Sequence, residues 1–289
     1  MARAADLARS RLSAPYKRLR RMYEPIRRRV QGTLTREELR DALAEAGVVP
    51  GATVMTHVSM DELIRTTSAI NALELIALLK ELLTEEGTLL VPTFPFTGRE
   101  ADYLATNPSF DVRRTPSQSG LMTELFRRMP DTVRSLHPTH PVSGWGAHAA
   151  EILSTHHLGE TFAETSPFCR LREYDGAVVG IGVGIMRGFT IIHAAEYLHP
   201  EARAYAFSSQ AETVTLKDGE TMIDYTFHPL RVGPRRHGRS ADPRTTEVLT
   251  YRRHAGLLIS SARADAFIER LCELISRGSF YASGPLPPQ

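Results

Sequence analysis

Two cysteines, Cys169 and Cys272, are too few for a disulfide framework and fit a reducing compartment. No apolar run approaches the roughly 18 residues that a membrane-spanning helix requires. The basic N-terminus has no apolar core of the kind a secretory signal carries, so the expected location is the cytoplasm. Zinc-finger spacing and base-stacking aromatics are missing too, which leaves nucleic acid the weakest of the acidic partners considered below. No internal repeat is visible. Cys169 follows Ser-Pro-Phe, but no neighbour in sequence would activate it, and it reads as a packed thiol.

The 289 residues are 42% hydrophobic and 24% charged, enough to bury a substantial core. The net charge of +2 is unevenly spread: residues 1–30 carry nine Arg and one Lys against Asp6 and Glu24, so 10 − 2 = +8, and the remainder carries 2 − 8 = −6. Residues 1–32 read as a basic amphipathic arm, one helix or two short ones. In it Leu12, Tyr16, Leu19, Tyr23, Ile26 and Val30 make one apolar seam, with Pro15 and Pro25 interrupting any single helix. Such an arm packs on the body or on a second subunit of a homodimer, or else meets something acidic: a membrane surface, nucleic acid or a partner protein. Residues 33–278 read as one catalytic domain and 279–289, rich in proline, as a disordered tail.

Within the body, Thr35 and Glu38 make a capping-box pattern ahead of Leu39, Leu43 and Ala46, and Gly47 closes that helix. Val54 to Ser59 reads as a buried strand and its exit loop, Leu73 to Leu83 as an apolar helix, and Gly87 to Phe94 as a second strand. Strand, helix, strand is a βαβ unit and predicts parallel pairing. Pro95 to Pro116 is expected as a long loop, and Ser119-Gly120-Leu121 leads into a helix through Phe126. Later, Lys217-Asp218-Gly219 between β-rich runs signals a hairpin, residues 231–245 a loop, and Ala264 to Ile275 a last helix ended by Gly278. The expected fold is α/β: a three-layer α/β/α sandwich with a mixed, largely parallel central sheet and a small hairpin-containing C-terminal part.

The stretch from Arg134 to Glu196 carries the chemistry. Ala177 to Gly184 reads as a buried strand with a tight glycine exit, after which Thr190 is placed to cap a helix holding His193 in its first turn. Glu196, three residues on, shares its face and can orient the imidazole, the layout a general base needs. The same spacing serves a plain structural pair. His199 extends the row, but positions six apart point roughly 240° apart on a helix, so convergence of all three on a metal is disfavoured.

Taken in order, His57-Val58-Ser59-Met60, Gly87 to Phe94, Pro116 to Leu121, Arg134-Ser135-Leu136-His137-Pro138, Trp145-Gly146, Ser166-Pro167-Phe168 and Thr190-x-x-His193-x-x-Glu196 resemble the aminoglycoside 3-N-acetyltransferase family. The likeness covers roughly Leu34 to Gly278. It implies acyl transfer from acetyl-CoA to an amine, without a metal, with His193 as the base and Glu196 as its orienting partner. It also implies a donor site at His57, Val58, Ser59, Met60 and Ser119, with Arg134, Ser135, His137 and Ser143 along the same channel. Departures from the family pattern fall on the donor side: Pro141 stands where a serine is usual, Val58 replaces a serine, and Ser68-Ala69-Ile70-Asn71 replaces a glycine pair. A larger acyl-CoA, or an acyl chain on the phosphopantetheine of an acidic carrier protein docked by the +8 arm, would keep the same thioester chemistry. Glu100, Asp102, Asp111, Glu160 and Glu164 are candidates for an acidic pocket around an aminoglycoside or amino-sugar acceptor. Two other classes remain: a metal-assisted hydrolase built on His193, Glu196 and His57 or His137, and a non-catalytic binding module.

Overall fold

The computed structural model describes residues 32–68, 70–184, 189–231 and 248–278. Residues 1–31, which hold nearly all of the basic arm, Ala69, residues 185–188, residues 232–247, which hold most of the expected 231–245 loop, and the tail after Gly278 lie outside the described residues.

Helix α1 (Arg36–Glu45) opens on the expected box: Glu38 N–H donates to Thr35 Oγ1 at 3.1 Å, and Thr35 N–H to Glu38 Oε2 at 2.8 Å. Strand β1 (Thr53–Val58) runs into α2 (Met60–Thr66), and α3 (Ala72–Leu83) leads to β2 (Thr88–Pro92). Asn71 and Glu74 cap α3 reciprocally, so the segment in place of a glycine pair works as a helix start. The expected long loop is partly ordered: it holds α4 (Glu100–Leu104) and β3 (Ser109–Asp111). β3 pairs with a strand about a hundred residues downstream, a contact that no local pattern could disclose.

There follow α5 (Leu121–Arg127), β4 (Val133–Arg134), β5 (Val142–Gly146), α6 (Ala149–Leu153), α7 (Pro167–Arg170), β6 (Ala177–Ile181), α8 (Ile192–Leu198) and α9 (Pro200–Ala206). The expected hairpin is β7 (Glu212–Asp218) and β8 (Thr221–Phe227). A second hairpin, β9 (Thr250–His254) and β10 (Leu257–Arg263), precedes α10 (Ala264–Ser276).

Seven strands form the central sheet in the order β4-β5-β2-β1-β6-β10-β9. β2, β1 and β6 pair in parallel, and the flanking strands join antiparallel, so the parallel portion is the centre of the sheet rather than most of it. β3, β7 and β8 make the small second sheet. Side chains alternate across the central strands. Val54, Leu89 and Val179 face a core shared with α1, α3 and α5, whereas Met55, Leu90 and Val178 face one shared with α6, α8 and α10. Each fully buried Leu or Phe in these layers contributes about 1.5–3 kcal/mol, and the two cores hold the sheet between two helical layers. Among the described residues no helix is long and apolar enough to cross a membrane.

Candidate active site

β6 ends in Ile181, Gly182 turns the chain at φ +69°, and α8 then carries His193 in its first turn. Thr190 is not the side-chain cap that the sequence pattern suggests; Ile191 holds the N-cap position, and Thr190 offers its carbonyl to His193 N–H at 3.0 Å. His193 Nδ1 lies 2.8 Å from Glu196 Oε2, and both side chains are buried. Phe162 packs on the imidazole with ring centroids 5.3 Å apart. A carboxylate on Nδ1 fixes the tautomer with the lone pair on Nε2, the form that a general base requires.

A crevice of about 310 Å³ opens beside this helix, at the C-terminal ends of β1 and β2. Its origin lies in the register. β1 pairs with β2 only through Met55↔Leu90, while its pairing with β6 continues to Val58↔Ile181, so Thr56, His57 and Val58 have no strand on the β2 side. Thr56, His57, Val58, Phe94, Ser119 and Thr190 are among the lining residues, none of which is charged. Open α/β sheets bind ligands in such a crevice beyond the strand ends. Thr56 Oγ1 and His57 Nε2 are buried there without a hydrogen-bond partner among the described residues. Burial pushes the His57 imidazole down to about 3, so it is neutral at physiological pH. Ser119 Oγ accepts Phe94 N–H at 3.1 Å, which holds the outer wall.

Of the run His57 to Met60, then, His57 and Val58 reach the crevice. Ser59 instead caps α2 by accepting Glu62 N–H, and gives its own N–H to Ile181 O at 2.9 Å. Met60 packs into the apolar core.

The second group of expected donor residues does not line the crevice. Arg134 Nε donates to Thr93 Oγ1, Nη1 to Val112 O and Thr115 O, and Nη2 to Thr93 O, and the guanidinium lies 5.0 Å over Phe110. Burial lowers it to about 9, and its donors are spent on the Thr93 hydroxyl and on the carbonyls of Thr93, Val112 and Thr115, which makes it an anchor for the 93–115 segment. Ser135 Oγ accepts Val142 N–H and pairs with His156 Nδ1, both at 2.9 Å. His137 Nδ1 accepts His140 N–H at 3.0 Å, and the ring stacks on His156 at 4.4 Å. Ser143 Oγ pairs with Thr93 Oγ1 at 3.1 Å, and Pro141 O takes Thr93 N–H. These side chains build a buried polar core in which burial holds His137 and His140 well below the ordinary imidazole range.

The acidic candidates are dispersed. Glu100 is buried, with Oε2 accepting Leu230 N–H at 2.9 Å and Oε1 lying 3.7 Å from His140 Nδ1. Asp111 Oδ1 caps the Arg113 and Arg114 amides, and Glu160 Oε1 pairs with His228 Nδ1 at 2.6 Å. Asp102 and Glu164 belong to none of these three arrangements. Cys169 donates to Phe162 O, and burial pushes its thiol up to about 11. His199 leaves the helix row, since it joins α8 to α9 and its Nε2 pairs with Ser276 Oγ at 3.2 Å. Among the described residues no group of three His, Cys, Asp or Glu side chains could hold a metal ion. Phe189, which stacks on His57 at 5.6 Å, and Phe162 were not marked by any sequence motif. Only long-range packing brings them to the site.

The sequence model of the aminoglycoside 3-N-acetyltransferase family matches residues 55–245. The SPbeta prophage-derived aminoglycoside N(3')-acetyltransferase-like protein YokD of Bacillus subtilis (strain 168) is 28% identical over 182 residues, 57% of this chain and 66% of YokD, just under two thirds of that relative. Aminoglycoside N(3)-acetyltransferase VII of Streptomyces paromomycinus is 28% identical over 218 residues, 70% of this chain and 73% of the relative. The solved binary complex of AAC-IIIb with CoASH superposes with a TM-score of 0.68 at 19% identity, covering 89% of this chain and 100% of that one, which establishes a shared fold. With a match running from β1 through the helix of His193 and Glu196, the chain belongs to the aminoglycoside 3-N-acetyltransferase family, a family of acyltransferases.

Proposed function

We propose that the protein transfers an acetyl group from a CoA-type thioester to an amine of an aminoglycoside-like or amino-sugar acceptor. The observation that carries this reading is the buried His193–Glu196 pair at 2.8 Å, one turn from a crevice wall formed in part by Thr190. An ammonium has no lone pair with which to attack a carbonyl. His193 Nε2 takes the proton as the amine nitrogen bonds to the thioester carbon, and returns it to sulfur as the C–S bond breaks. Glu196 holds the ring through Nδ1 and stabilises the imidazolium between those two transfers.

The crevice suits the thioester end of the donor. It is uncharged and holds two unpartnered polar atoms, which complements a neutral pantetheine arm and offers nothing to a polycation. CoA binding by AAC-IIIb, a protein of the same fold, supports that assignment. His57, Val58 and Ser119 would border the donor, and the acceptor would approach His193 from the side away from the sheet.

The test is calorimetric titration of CoA and acetyl-CoA into wild type and His193→Ala, alongside steady-state assays with an aminoglycoside. Micromolar binding to both proteins, with turnover lost by a factor of on the order of 10²–10⁴ in the variant, is the expected outcome. Wild-type protein that neither binds CoA nor acetylates an amine would refute the reading.

A further inference from the structure

We propose that His57 is a second catalytic residue, donating its Nε2–H to the thioester carbonyl oxygen as that oxygen becomes an oxyanion. The inference rests on the acyl-transfer reading above and assigns a group to the half of the reaction that His193 leaves unserved. When the amine nitrogen bonds to the carbonyl carbon, the C=O π pair moves onto oxygen. His57 hydrogen-bonds that charge, and the pair returns as the C–S bond breaks and sulfur takes the proton from His193. His57 neither gains nor loses a proton overall.

Three observations place it there. His57 is the β1 residue at which pairing with β2 has already ended while pairing with β6, through Gly180, persists, so the backbone is fixed and the side chain borders the crevice. Its Nε2 is buried without a partner among the described residues. Leaving such a group unpaired costs about 1–3 kcal/mol, and the cost is recovered when a ligand acceptor fills the crevice. The ring is also held in place. It stacks on Phe189 with an interplanar angle of 22°, and Phe189 closes over Gly180, where a Cβ would meet the Phe189 ring at 2.7 Å.

His57 shares a sheet face with the helix of His193. Alternation along β1 puts His57 on the side of Met55, whose core includes Phe189 and Ile192, the residue before His193. Donor and base thus stand on the same face of the sheet, His57 in the crevice wall and His193 one turn beyond Thr190, the residue by which its segment meets that wall. A neutral donor is the appropriate kind: burial keeps His57 uncharged, so it polarises the carbonyl without binding a free anion in the crevice.

The experiment compares wild type, His57→Phe and His57→Gln in the full chain. Phenylalanine preserves stacking on Phe189 and cannot donate; glutamine restores a donor. For His57→Phe the expected result is a kcat reduced on the order of 10²–10³-fold, with the Kd for CoA within a few-fold of wild type. For His57→Gln, kcat is expected to recover to within about tenfold. A readout independent of turnover is the carbonyl stretching frequency of bound acetyl-CoA, expected to fall on binding to wild type and not to His57→Phe. An unchanged kcat and carbonyl frequency in a folded His57→Phe protein that binds CoA overturns this proposal while leaving acyl transfer intact. So does a loss confined to KM or Kd, which would make His57 a binding residue. Failure of the wild type to bind or turn over acetyl-CoA removes the underlying reading, and this proposal with it.

Discussion

Glu100 Oε1 lies 3.7 Å from His140 Nδ1 inside the protein, although forty residues separate the two in sequence. Neither behaves as an ion pair. Burial raises the Glu100 carboxyl to about 7, against hydrogen bonds from Thr139 and Leu230 that lower it, and the same burial keeps His140 neutral. Glu100 belongs to α4 and Leu230 to the segment after β8, so the buried carboxyl ties α4 and that segment to the histidine core.

A pH dependence of stability follows from the direction of that shift. The folded-state value lies above the unfolded one, so the contribution of Glu100 is full below the unfolded value and is lost as pH rises through about 7. Glu100→Gln keeps an acceptor for Leu230 N–H and cannot ionise. Its Tm should match wild type near pH 5 and exceed it near pH 8.5, the gap in unfolding free energy reaching on the order of 3 kcal/mol at most. Parallel pH profiles for the two proteins in thermal unfolding would count against a buried, titrating Glu100.

Gly180 offers a packing test of the same region. A Cβ there would meet Ser260 Oγ at 2.5 Å, Val183 O at 2.6 Å and the Phe189 ring at 2.7 Å. Two of those three neighbours are backbone or a buried ring and cannot move freely. Gly180→Ala should cost about 1–3 kcal/mol by overpacking, and should weaken CoA binding by displacing Phe189 and with it His57. Denaturant unfolding and calorimetry on the same samples would separate the two effects. Unaltered stability would show that Phe189 does not close over Gly180.

The features legible in the sequence were local ones. The capping box of Thr35 and Glu38, the βαβ order of β1, α3 and β2, and the pairing of His193 with Glu196 all depend on residues a few positions apart, where spacing determines geometry. What escaped was set by distant contacts. β3 exists because β7 pairs with it, and the β9–β10 hairpin because β10 finds β6, while Thr250 to His254, mostly polar, gives little sign of a sheet edge. The motif around Arg134 placed it along the donor channel; its partners, Thr93, Val112 and Thr115, lie 19 to 41 positions away. Ser135 and His137 belong to the same buried network for the same reason. The motif marked residues that matter, but their partners determine how.

Glu196 tests the division of labour at the proposed base. Glu196→Gln retains the side-chain shape and an acceptor for His193 Nδ1–H but removes the negative charge that stabilises the imidazolium. Because His193 stays in place, kcat should fall by roughly tenfold to a hundredfold, less than for His193→Ala, with the CoA Kd unchanged. Steady-state kinetics on both variants decides it. Equal losses would mean that the carboxylate is as indispensable as the imidazole, and no loss would reduce Glu196 to a packing role.

Arg134 separates anchoring from phosphate recognition. Its guanidinium satisfies the carbonyls of Thr93, Val112 and Thr115 and covers Phe110, and removing it leaves those acceptors buried and unpaired. Arg134→Ala should therefore destabilise the fold by about 2–4 kcal/mol, seen as an earlier denaturant midpoint with little change in slope. Arg134→Lys should recover only part of this, because one ammonium cannot reproduce a planar fork with four contacts. The folded fraction of either variant should bind CoA with the affinity of the wild type, and the salt dependence of that binding should not change. If Arg134 instead reached a phosphate, the alanine variant would lose affinity and salt sensitivity together while its unfolding curve stayed where it was. The two accounts thus predict opposite patterns in the same pair of measurements.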